Sequence, residues 1–264
     1  MTALLQVEAI TKAYGGVQAV RGVSLRLAAG ELLALIGPNG AGKSTCFNML
    51  NGQVRPDTGT VRVEGRDVTG LSPRRMARLG VGRTFQITRT FLSMTVRENV
   101  QVALLAAAGW LARPFGFVGA LRRTEADALL DRVGLLAQAE APCGVLAYGD
   151  LKRLELAVAL AGAPKLLLMD EPTAGMAPRE RTELMRLAAD IAAREGIGVL
   201  FTEHDMDVVF DHASRVMVLD RGTVIAEGPP PEVRRDPRVR AVYLGTGRTY
   251  DARHGDGVRS GDAA

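Results

Sequence analysis

Uninterrupted apolar runs of strand length occur in both halves of the chain. Residues 33–36 (Leu-Ala-Leu-Ile) and residues 166–169 (Leu-Leu-Leu-Met) contain no polar position. Such runs are typical of strands that are buried on both faces of a parallel sheet. Residues 5–10 alternate between apolar and polar positions, which predicts a strand with one buried face. The pattern therefore indicates an α/β fold with a parallel core and an antiparallel β subdomain.

Turn residues bound further short segments with strand-like sequences. The additional predicted strands are residues 17–20, 23–27, 60–64, 65–68, 81–85, 198–202, 216–219 and 223–227. Residues 60–68 and residues 216–227 are each predicted to form a hairpin. Ser72 followed by Pro73 predicts a helix start, because Ser caps helices and Pro suits the first helical position.

Residues 89–163 differ from the rest of the chain because Ala and Leu dominate and the apolar spacing becomes helical. Helices are predicted at residues 95–108 and 124–133 within this stretch. We therefore expect a helical subdomain that is inserted between two halves of the α/β core. Outside it, helices are predicted at residues 44–50 and 178–194.

Length and charge limit the number of domains and the kinds of partner that we expect. A single domain is expected over residues 1–246, since 264 residues lie near the upper limit for one domain. Residues 247–264 are rich in Gly, Asp and Arg, which predicts a disordered tail. The net charge is +4 and Arg is scattered along the chain, so no nucleic-acid partner is expected.

No targeting, membrane-spanning or disulfide signal is found in the sequence. The apolar stretch 100–112 is shorter than the roughly 20 residues that a membrane span needs. The N-terminus lacks the basic flank and apolar core of a signal peptide. Cys46 and Cys143 are too far apart for a metal motif, and a disulfide is not expected. These features predict a cytoplasmic chain.

A phosphate-binding pattern follows the apolar run at residues 33–36. Residues 37–44 fit the P-loop pattern G-x-x-x-x-G-K-S, in which glycines let backbone N–H groups surround a phosphate. Lys43 is expected to reach the β- and γ-phosphates, and the Ser44 hydroxyl suits Mg²⁺. The following helix adds the positive end of its dipole. The predicted ATP-binding residues of this loop are Gly37, Pro38, Asn39, Gly40, Ala41, Gly42, Lys43, Ser44 and Thr45.

Two carboxylates end the second apolar run. Asp170 at the end of this predicted strand is placed to hold the shell of Mg²⁺, and Glu171 is placed to polarise an attacking water. A solvated acidic turn is the alternative interpretation. The apolar run before the pair and the P-loop upstream favour the catalytic one.

Two further predicted strands end in polar side chains. His204 follows the strand at 198–202 and is expected to contact the γ-phosphate from the same sheet edge. Gln86 follows the strand at 81–85, where an amide can coordinate Mg²⁺ and orient water. A structural role is the alternative for His204, and Gln86 is a weak signal by itself.

A second anion-binding segment opens a predicted helix at residues 146–150 (Leu-Ala-Tyr-Gly-Asp). The N–H groups around Gly149 suit an anion. The segment lies too close in sequence to Asp170 to surround the same phosphate easily. A site completed by a second copy of the chain is the natural solution.

The order of these motifs resembles the ATP-binding subunits of ABC transporters over nearly the whole chain, from Leu5 to about Gly245. Residues 83–86 (Arg-Thr-Phe-Gln), 202–206 (Thr-Glu-His-Asp-Met) and 241–245 (Ala-Val-Tyr-Leu-Gly) are similar to the branched-chain amino acid uptake branch. Urea and amide importers are relatives of that branch. The resemblance implies an α/β P-loop ATPase fold and an ATPase that powers import.

The resemblance also implies partners and residue roles. In a homodimer or a heterodimer, two ATP molecules would lie between the P-loop of one subunit and the signature segment of the other. Membrane permease subunits would dock at residues 90–99, and an extracytoplasmic solute-binding protein would act indirectly. The protein would then be peripheral on the inner face of the cell membrane. The implied signature residues are Leu146, Ala147, Tyr148, Gly149 and Asp150.

The implied roles around the nucleotide extend the P-loop prediction. Tyr14 would stack on adenine, with Val20 beside it. The remaining roles are Ser44, Gln86 and Asp170 around Mg²⁺, Glu171 as the general base, and His204 as the γ-phosphate sensor.

The sequence departs from the family pattern in the signature segment and in the loop after Glu171. The signature usually reads Leu-Ser-Gly-Gly-Gln, whereas Ala147 and Asp150 replace its Ser and Gln. A carboxylate at a few ångströms from the triphosphate of the partner subunit costs on the order of 1 kcal/mol, unless Lys152 or Arg153 screens it. Ala177 replaces a usual polar residue in the loop after Glu171. Slow hydrolysis, or dependence on a partner ATPase, is the hypothesis that follows.

Other functions stay open from sequence alone. One is a urea or amide importer ATPase, and another is a soluble ABC-type ATPase that works on DNA or ribosomes. A third is a regulatory module that binds nucleotide without turnover. The solute is not specified, because cassette subunits do not touch it.

Overall fold

The computed structural model describes residues 3–84, 90–109 and 121–244, which fold into two β-sheets, nine α-helices and two short 3-10 helices within those ranges. The strands are β1 Leu5–Tyr14, β2 Val17–Leu27, β3 Leu32–Ile36, β4 Thr58–Val63, β5 Arg66–Asp67, β6 Val81–Thr84, β7 Leu166–Asp170, β8 Gly198–Thr202, β9 Arg215–Asp220 and β10 Thr223–Gly228. The helices are α1 Lys43–Leu50, α2 Pro73–Arg78, α3 Val96–Ala107, α4 Arg123–Arg132, α5 Tyr148–Leu160, α6 Pro178–Glu195, α7 Met206–His212, α8 Pro230–Arg235 and α9 Pro237–Leu244.

The larger sheet has the strand order β10-β9-β3-β8-β7-β6, and only the edge strand β10 runs antiparallel to its neighbour. Both faces of this sheet are covered. Leu33 and Leu35 pack in one apolar cluster with α1 and the smaller sheet, whereas Ala34 and Ile36 pack in the other with α5 and α6. Burial on both faces is the reason that β3 carries no polar residue.

The smaller sheet is antiparallel, with the strand order β2-β1-β4-β5. Its inner face contributes Leu5, Val7 and Val61 to the cluster that also contains Phe47 of α1. The antiparallel β subdomain therefore packs directly over the helix that follows the P-loop.

Helices occupy the stretch between β6 and β7. Thr95 begins α3 with a capping box, because the Glu98 N–H bonds the Thr95 hydroxyl at 3.1 Å and the Thr95 N–H bonds the Glu98 carboxylate at 2.8 Å. The buried Arg97 of α3 pairs with Asp127 of α4 and with Glu140. These ion pairs raise the pKa of Arg97, with the Asp127 hydrogen bond as the first cause. They fix the two helices against each other.

Most predicted elements are confirmed, with shifted ends. The predicted strands at 17–20 and 23–27 form the single strand β2, and β1 continues four residues past the predicted end at Ile10. Helices α7, α8 and α9 were not predicted. The strand end at Phe85 and the disordered tail at 247–264 lie outside the described residues.

Within the described ranges, no helix combines the length and the apolar character that crossing a bilayer requires.

Candidate active site

Three neighbouring parallel strands end at one edge of the larger sheet. The order β3-β8-β7 places β8 between the P-loop strand and the strand that ends in Asp170. Asp170 is paired in register with Thr202 of β8. The P-loop, the carboxylate pair and His204 therefore come from three adjacent strand ends, as ligand sites of parallel α/β sheets commonly do.

The P-loop depends on glycine at two positions. Gly37 and Gly42 have φ angles of +154° and +101°. A Cβ atom at Gly37 would lie 2.2 Å from the Leu219 carbonyl oxygen, and one at Gly42 would lie 2.4 Å from the Ala19 carbonyl oxygen. The loop therefore fits between β9 and β2 only without side chains at these positions.

Lys43 begins α1 beneath this loop. Its ammonium group donates to the carbonyl oxygens of Gly37 at 2.6 Å and Pro38 at 3.1 Å. Burial lowers the pKa of Lys43, and the nearby Glu171 and Asp170 carboxylates oppose that shift. Two of the three ammonium donors thus hold the loop closed. Ser44, the next residue, is exposed in the first turn of α1.

Asp170 is held on both carboxylate oxygens. Its Oδ1 accepts a hydrogen bond from the Thr202 hydroxyl at 2.8 Å, and its Oδ2 accepts one from Arg83 at 3.1 Å. Arg83 also donates to Asn48 at 3.1 Å and to Gln53 at 2.9 Å. One guanidinium group therefore links β6, α1 and the end of β7.

Sequence analysis gave Arg83 and Thr202 no role, although both lie in the quoted segments Arg-Thr-Phe-Gln and Thr-Glu-His-Asp-Met. The only sequence signal was that Arg83 lies within the predicted strand 81–85 and Thr202 ends the predicted strand 198–202.

Glu171 and His204 contact each other directly. The His204 Nε2 atom and the Glu171 Oε1 atom are 2.8 Å apart, with the side chains 50% and 21% exposed. Glu171 has a φ of +46°, which is unusual for a residue with a side chain and typical of functional sites. Its N–H bonds the Thr202 hydroxyl at 3.1 Å, which helps to hold this conformation. The predicted base and the predicted γ-phosphate sensor thus form one pair.

Glu203 is a buried carboxylate that sequence analysis missed. Its Oε1 accepts hydrogen bonds from the Thr173 N–H at 2.8 Å and the Thr173 hydroxyl at 2.6 Å. Its Oε2 accepts from the His204 N–H at 3.2 Å. Glu203 therefore ties the loop after Glu171 to the segment that presents His204.

The two residues predicted around the adenine, Tyr14 and Val20, differ in how much of each is exposed to solvent. Tyr14 is 48% exposed at the end of β1, with the Lys12 ammonium 5.7 Å from its ring centre. Val20 is fully buried, and a Cβ atom on Gly42 would lie 3.4 Å from its side chain. Burial gives Val20 a packing role behind the P-loop, and its predicted adenine contact stays a prediction. Gln86 lies outside the described residues.

The signature segment begins α5, with Ala147 as the N-cap residue. Asp150 in the first turn accepts a hydrogen bond from the Gln138 amide at 3.1 Å. The two residues expected to screen Asp150 pair with other carboxylates. Lys152 bonds Glu155 at 3.0 Å, and Arg153 bonds Glu183 at 3.0 Å. Leu146 precedes this N-cap and packs against the core cluster of α5 and α6.

Comparison with known proteins identifies the family. The ABC transporter family model matches residues 20–174, more than half of the chain. The high-affinity branched-chain amino acid transport ATP-binding protein LivG of Salmonella typhimurium is 41% identical, covering 92% of this chain and 98% of that protein. The chain belongs to the ATP-binding subunits of ABC transporters. The expected family is therefore confirmed, together with an ATPase coupled to transport.

Other relatives of this ABC subunit are also described as ATP-binding proteins of transport or export systems. The BraF protein of Pseudomonas aeruginosa, with the same description as LivG, is 38% identical over 92% of this chain and 98% of its own length. A lipopolysaccharide export system ATP-binding protein, LptB of Acidithiobacillus ferridurans, is 39% identical over 93% and 98%. A model of the branched-chain amino acid ATP-binding cassette transporters matches residues 223–249.

Solved ABC cassettes confirm the predicted fold class. An ATP-binding cassette of an ABC transporter in its ADP conformation superimposes with a TM-score of 0.83 at 30% identity, covering 93% of this chain and all of that one. A nucleotide-free cassette superimposes with a TM-score of 0.82 at 31% identity, covering 92% of this chain.

Proposed function

We propose that this chain is the ATP-hydrolysing subunit of an importer for branched-chain amino acids. The names of LivG and BraF and the family model at residues 223–249 support this solute class. Part of the matched C-terminal region lies beside the nucleotide loop, since Ala241 and Val242 of α9 line one cleft with Pro38 and Asn39. The convergence of Lys43, Asp170, Glu171 and His204 at one sheet edge is the observation that carries the ATPase assignment.

ATP binding is assigned to the P-loop and Tyr14. The backbone of residues 37–42 and the N-terminus of α1 point donors at the triphosphate, and the Lys43 ammonium adds a positive charge. The exposed Tyr14 ring offers a stacking surface for adenine, and Lys12 limits its freedom. Val20 supports the loop from behind.

The donor set at the sheet edge fits Mg²⁺. The exposed Ser44 hydroxyl and the oriented Asp170 carboxylate are hard oxygen ligands, which this ion prefers. Gln86 is assigned as a further ligand from its place after β6. The bound ion would neutralise charge on the β- and γ-phosphates. Arg83 and Thr202 keep the Asp170 carboxylate in a single orientation for this role.

Glu171 is assigned as the general base. Its carboxylate would accept a proton from the attacking water, and the 2.8 Å contact with His204 fixes where that carboxylate points. His204 is half exposed, and we assign it as the contact to the γ-phosphate oxygens. Removing the Glu171 carboxylate is therefore expected to stop hydrolysis and to leave nucleotide binding intact.

Two kinds of partner follow from the assignment. A second cassette subunit, identical or different, would supply its own signature segment to the nucleotide on this P-loop, which makes the ATPase a dimer. Permease subunits would dock at residues 90–99 on the cytoplasmic face of the membrane. Phe91 and Leu92 are 53% and 59% exposed there, and the Asn99 amide holds their segment through the Phe91 N–H at 2.7 Å.

Uptake in proteoliposomes tests the solute assignment. The chain is co-reconstituted with its permease subunits and the solute-binding protein, and ATP-dependent uptake of labelled leucine, isoleucine and valine is compared with uptake of urea. We expect uptake of the three amino acids, and no uptake with Glu171→Gln. Uptake of urea alone would support the urea importer alternative.

A second arm of the experiment addresses export, because LptB is 39% identical to this chain. The purified cassette is mixed with permeases of the uptake type or of the lipopolysaccharide export type. Stimulation of ATP hydrolysis by the export permeases alone would contradict the proposed import function.

A further inference from the structure

Tyr148 stands in the signature segment where the ABC pattern usually has glycine. It is the first residue of α5. Its hydroxyl donates a hydrogen bond to the carbonyl oxygen of Ala174 at 3.1 Å. Ala174 lies in the loop of the same subunit that follows Glu171. The signature segment is therefore bonded to the catalytic side of its own chain.

The ring of Tyr148 is fixed as well as its hydroxyl. Gly175 has a φ of +79°, and a Cβ atom there would lie 3.4 Å from the tyrosine ring. The Lys152 ammonium lies 5.6 Å from the ring centre and bonds the Glu155 carboxylate at 3.0 Å. The loop after Glu171 thus passes close to the tyrosine ring, and the Lys152 ammonium makes a cation–π contact with the same ring.

The same loop is fixed on its other side by Glu203. Thr173, which precedes Ala174, gives both its N–H and its hydroxyl to the Glu203 carboxylate. The second oxygen of that carboxylate accepts the His204 N–H at 3.2 Å. A continuous path therefore joins His204 to Tyr148. Glu203 bonds both the His204 N–H and Thr173, and the carbonyl oxygen of the next residue, Ala174, accepts the bond from Tyr148.

We propose that Tyr148 is a positioning residue that couples the signature segment to the catalytic pair of its own subunit. When residues 146–150 close on the nucleotide of the partner subunit, the hydroxyl bond moves the loop at 173–175, and Glu203 passes that movement to His204 and Glu171. Each subunit thereby senses the nucleotide of the other. This inference rests on the proposed dimer with composite sites.

Tyr148→Phe removes the hydroxyl and keeps the ring. The control is Thr60→Val on β4, which removes a hydroxyl that bonds Glu8 in the smaller sheet. ATP hydrolysis is measured against ATP concentration for both variants and for the wild type, and ATP affinity is measured separately with a fluorescent analogue. We expect Tyr148→Phe to lower kcat about fivefold and to bring the Hill coefficient close to 1, since coupling between sites is typically worth at least that factor. Affinity for the analogue and the melting temperature should match the control.

Hydrogen exchange of a peptide covering residues 171–178 gives a readout that does not depend on turnover. In the wild type, ATP should slow exchange in this peptide. In Tyr148→Phe the slowing should be lost there and retained in the P-loop peptide.

Three results overturn the proposal. They are an unchanged Hill coefficient with unchanged exchange, an equal effect in Thr60→Val, or a loss of ATP affinity alone, which would place Tyr148 on the nucleotide. A wild type without ATP hydrolysis would contradict the proposed function instead. The exchange comparison would still decide the role of Tyr148.

Discussion

At the scale of single residues, Thr202 has a central place at the catalytic edge. It is 1% exposed, and its hydroxyl donates to Asp170 at 2.8 Å while it accepts the Glu171 N–H at 3.1 Å. One hydroxyl therefore orients the residue assigned to the metal and supports the left-handed backbone of the assigned base. Sequence patterns do not show such a bond, because the partners are 31 and 32 positions away.

Thr202→Val should lower kcat about tenfold, because the valine has the same shape but removes the hydrogen bond that orients the partly buried Asp170 carboxylate, at about 1–3 kcal/mol. ATP affinity should change little, since the P-loop is untouched. Steady-state kinetics and analogue binding measure the two effects. Thr202→Ser keeps the hydroxyl and is expected to stay near wild-type activity; equal losses in both variants would show that packing matters and not the hydroxyl.

The two cysteines should be inert in the folded protein. Cys46, two residues after Ser44, is fully buried, and burial raises the pKa of its thiol to about 12. Cys143 is buried too. A thiolate is the reactive form, so maleimide at neutral pH should modify neither thiol and should not inhibit hydrolysis. Mass spectrometry should count two adducts after denaturation; an adduct on the native protein would contradict the described packing of α1.

At the scale of elements, the N-terminus of α5 contains Asp150, the departure from the family pattern with the clearest expected effect on hydrolysis. Asp150 sits in its first turn and is bonded to Gln138. The Asp150 carboxylate interacts favourably with the dipole of α5, but it would repel a triphosphate that is bound at this end of the helix.

Asp150→Gln should raise kcat about fivefold, since relieving a repulsion of about 1 kcal/mol changes a rate by that factor. The ATPase rate of the dimer is the measurement. Asp131→Asn on the exposed surface of α4 makes the same change in net charge and should have no effect. Unchanged hydrolysis in Asp150→Gln would count against the idea that Asp150 slows this subunit.

The segment before α3 is the assigned docking surface for the permease. Replacing Phe91 and Leu92 by Ser should abolish stimulation by the permease subunits, because two exposed apolar contacts are lost. Hydrolysis by the isolated chain should not change. Leu136→Ser removes an apolar side chain that is 40% exposed elsewhere in the helical region and serves as the control. Normal stimulation of the double variant would place the permease contact elsewhere.

The sequence predicted elements well where the signal is local. Apolar runs predicted β3, β7 and β8, and the glycines together with Lys43 predicted the P-loop. Each of these features is determined by a few residues that are adjacent in the sequence. β1 was predicted too short and β2 as two separate strands, because shifts in their pairing between Ile10 and Thr11 and between Lys12 and Ala13 disturb the alternation. Helices α8 and α9 are short and each begin with a proline, so no helical periodicity develops over them.

The contacts that fix the site were beyond sequence reasoning. Arg83 meets Asp170 across 87 positions, and Glu203 meets Thr173 across 30. Such pairs exist only because parallel strands bring their carboxyl ends together. The types of the residues were visible in the sequence, but their partners depend on the strand order.

At the scale of the whole molecule, both halves of the proposed ATPase site lie in one chain but serve different nucleotides. The P-loop edge would bind the subunit's own ATP, and the start of α5 would close on the ATP of the partner. Two apolar clusters, one on each face of the larger sheet, pack around the elements that carry these two parts. On this proposal hydrolysis requires two cassette subunits, and it should be measured both without and with the permeases.

ATP hydrolysis by the purified chain, alone and with its permease subunits, tests the central claim most directly when Glu171→Gln is measured beside it. We expect the permeases to stimulate the wild type and the variant to lose at least about 100-fold in kcat while still binding ATP, as for a lost general base. Equal hydrolysis by Glu171→Gln, or no turnover of bound ATP by the wild type in either setting, would contradict the account.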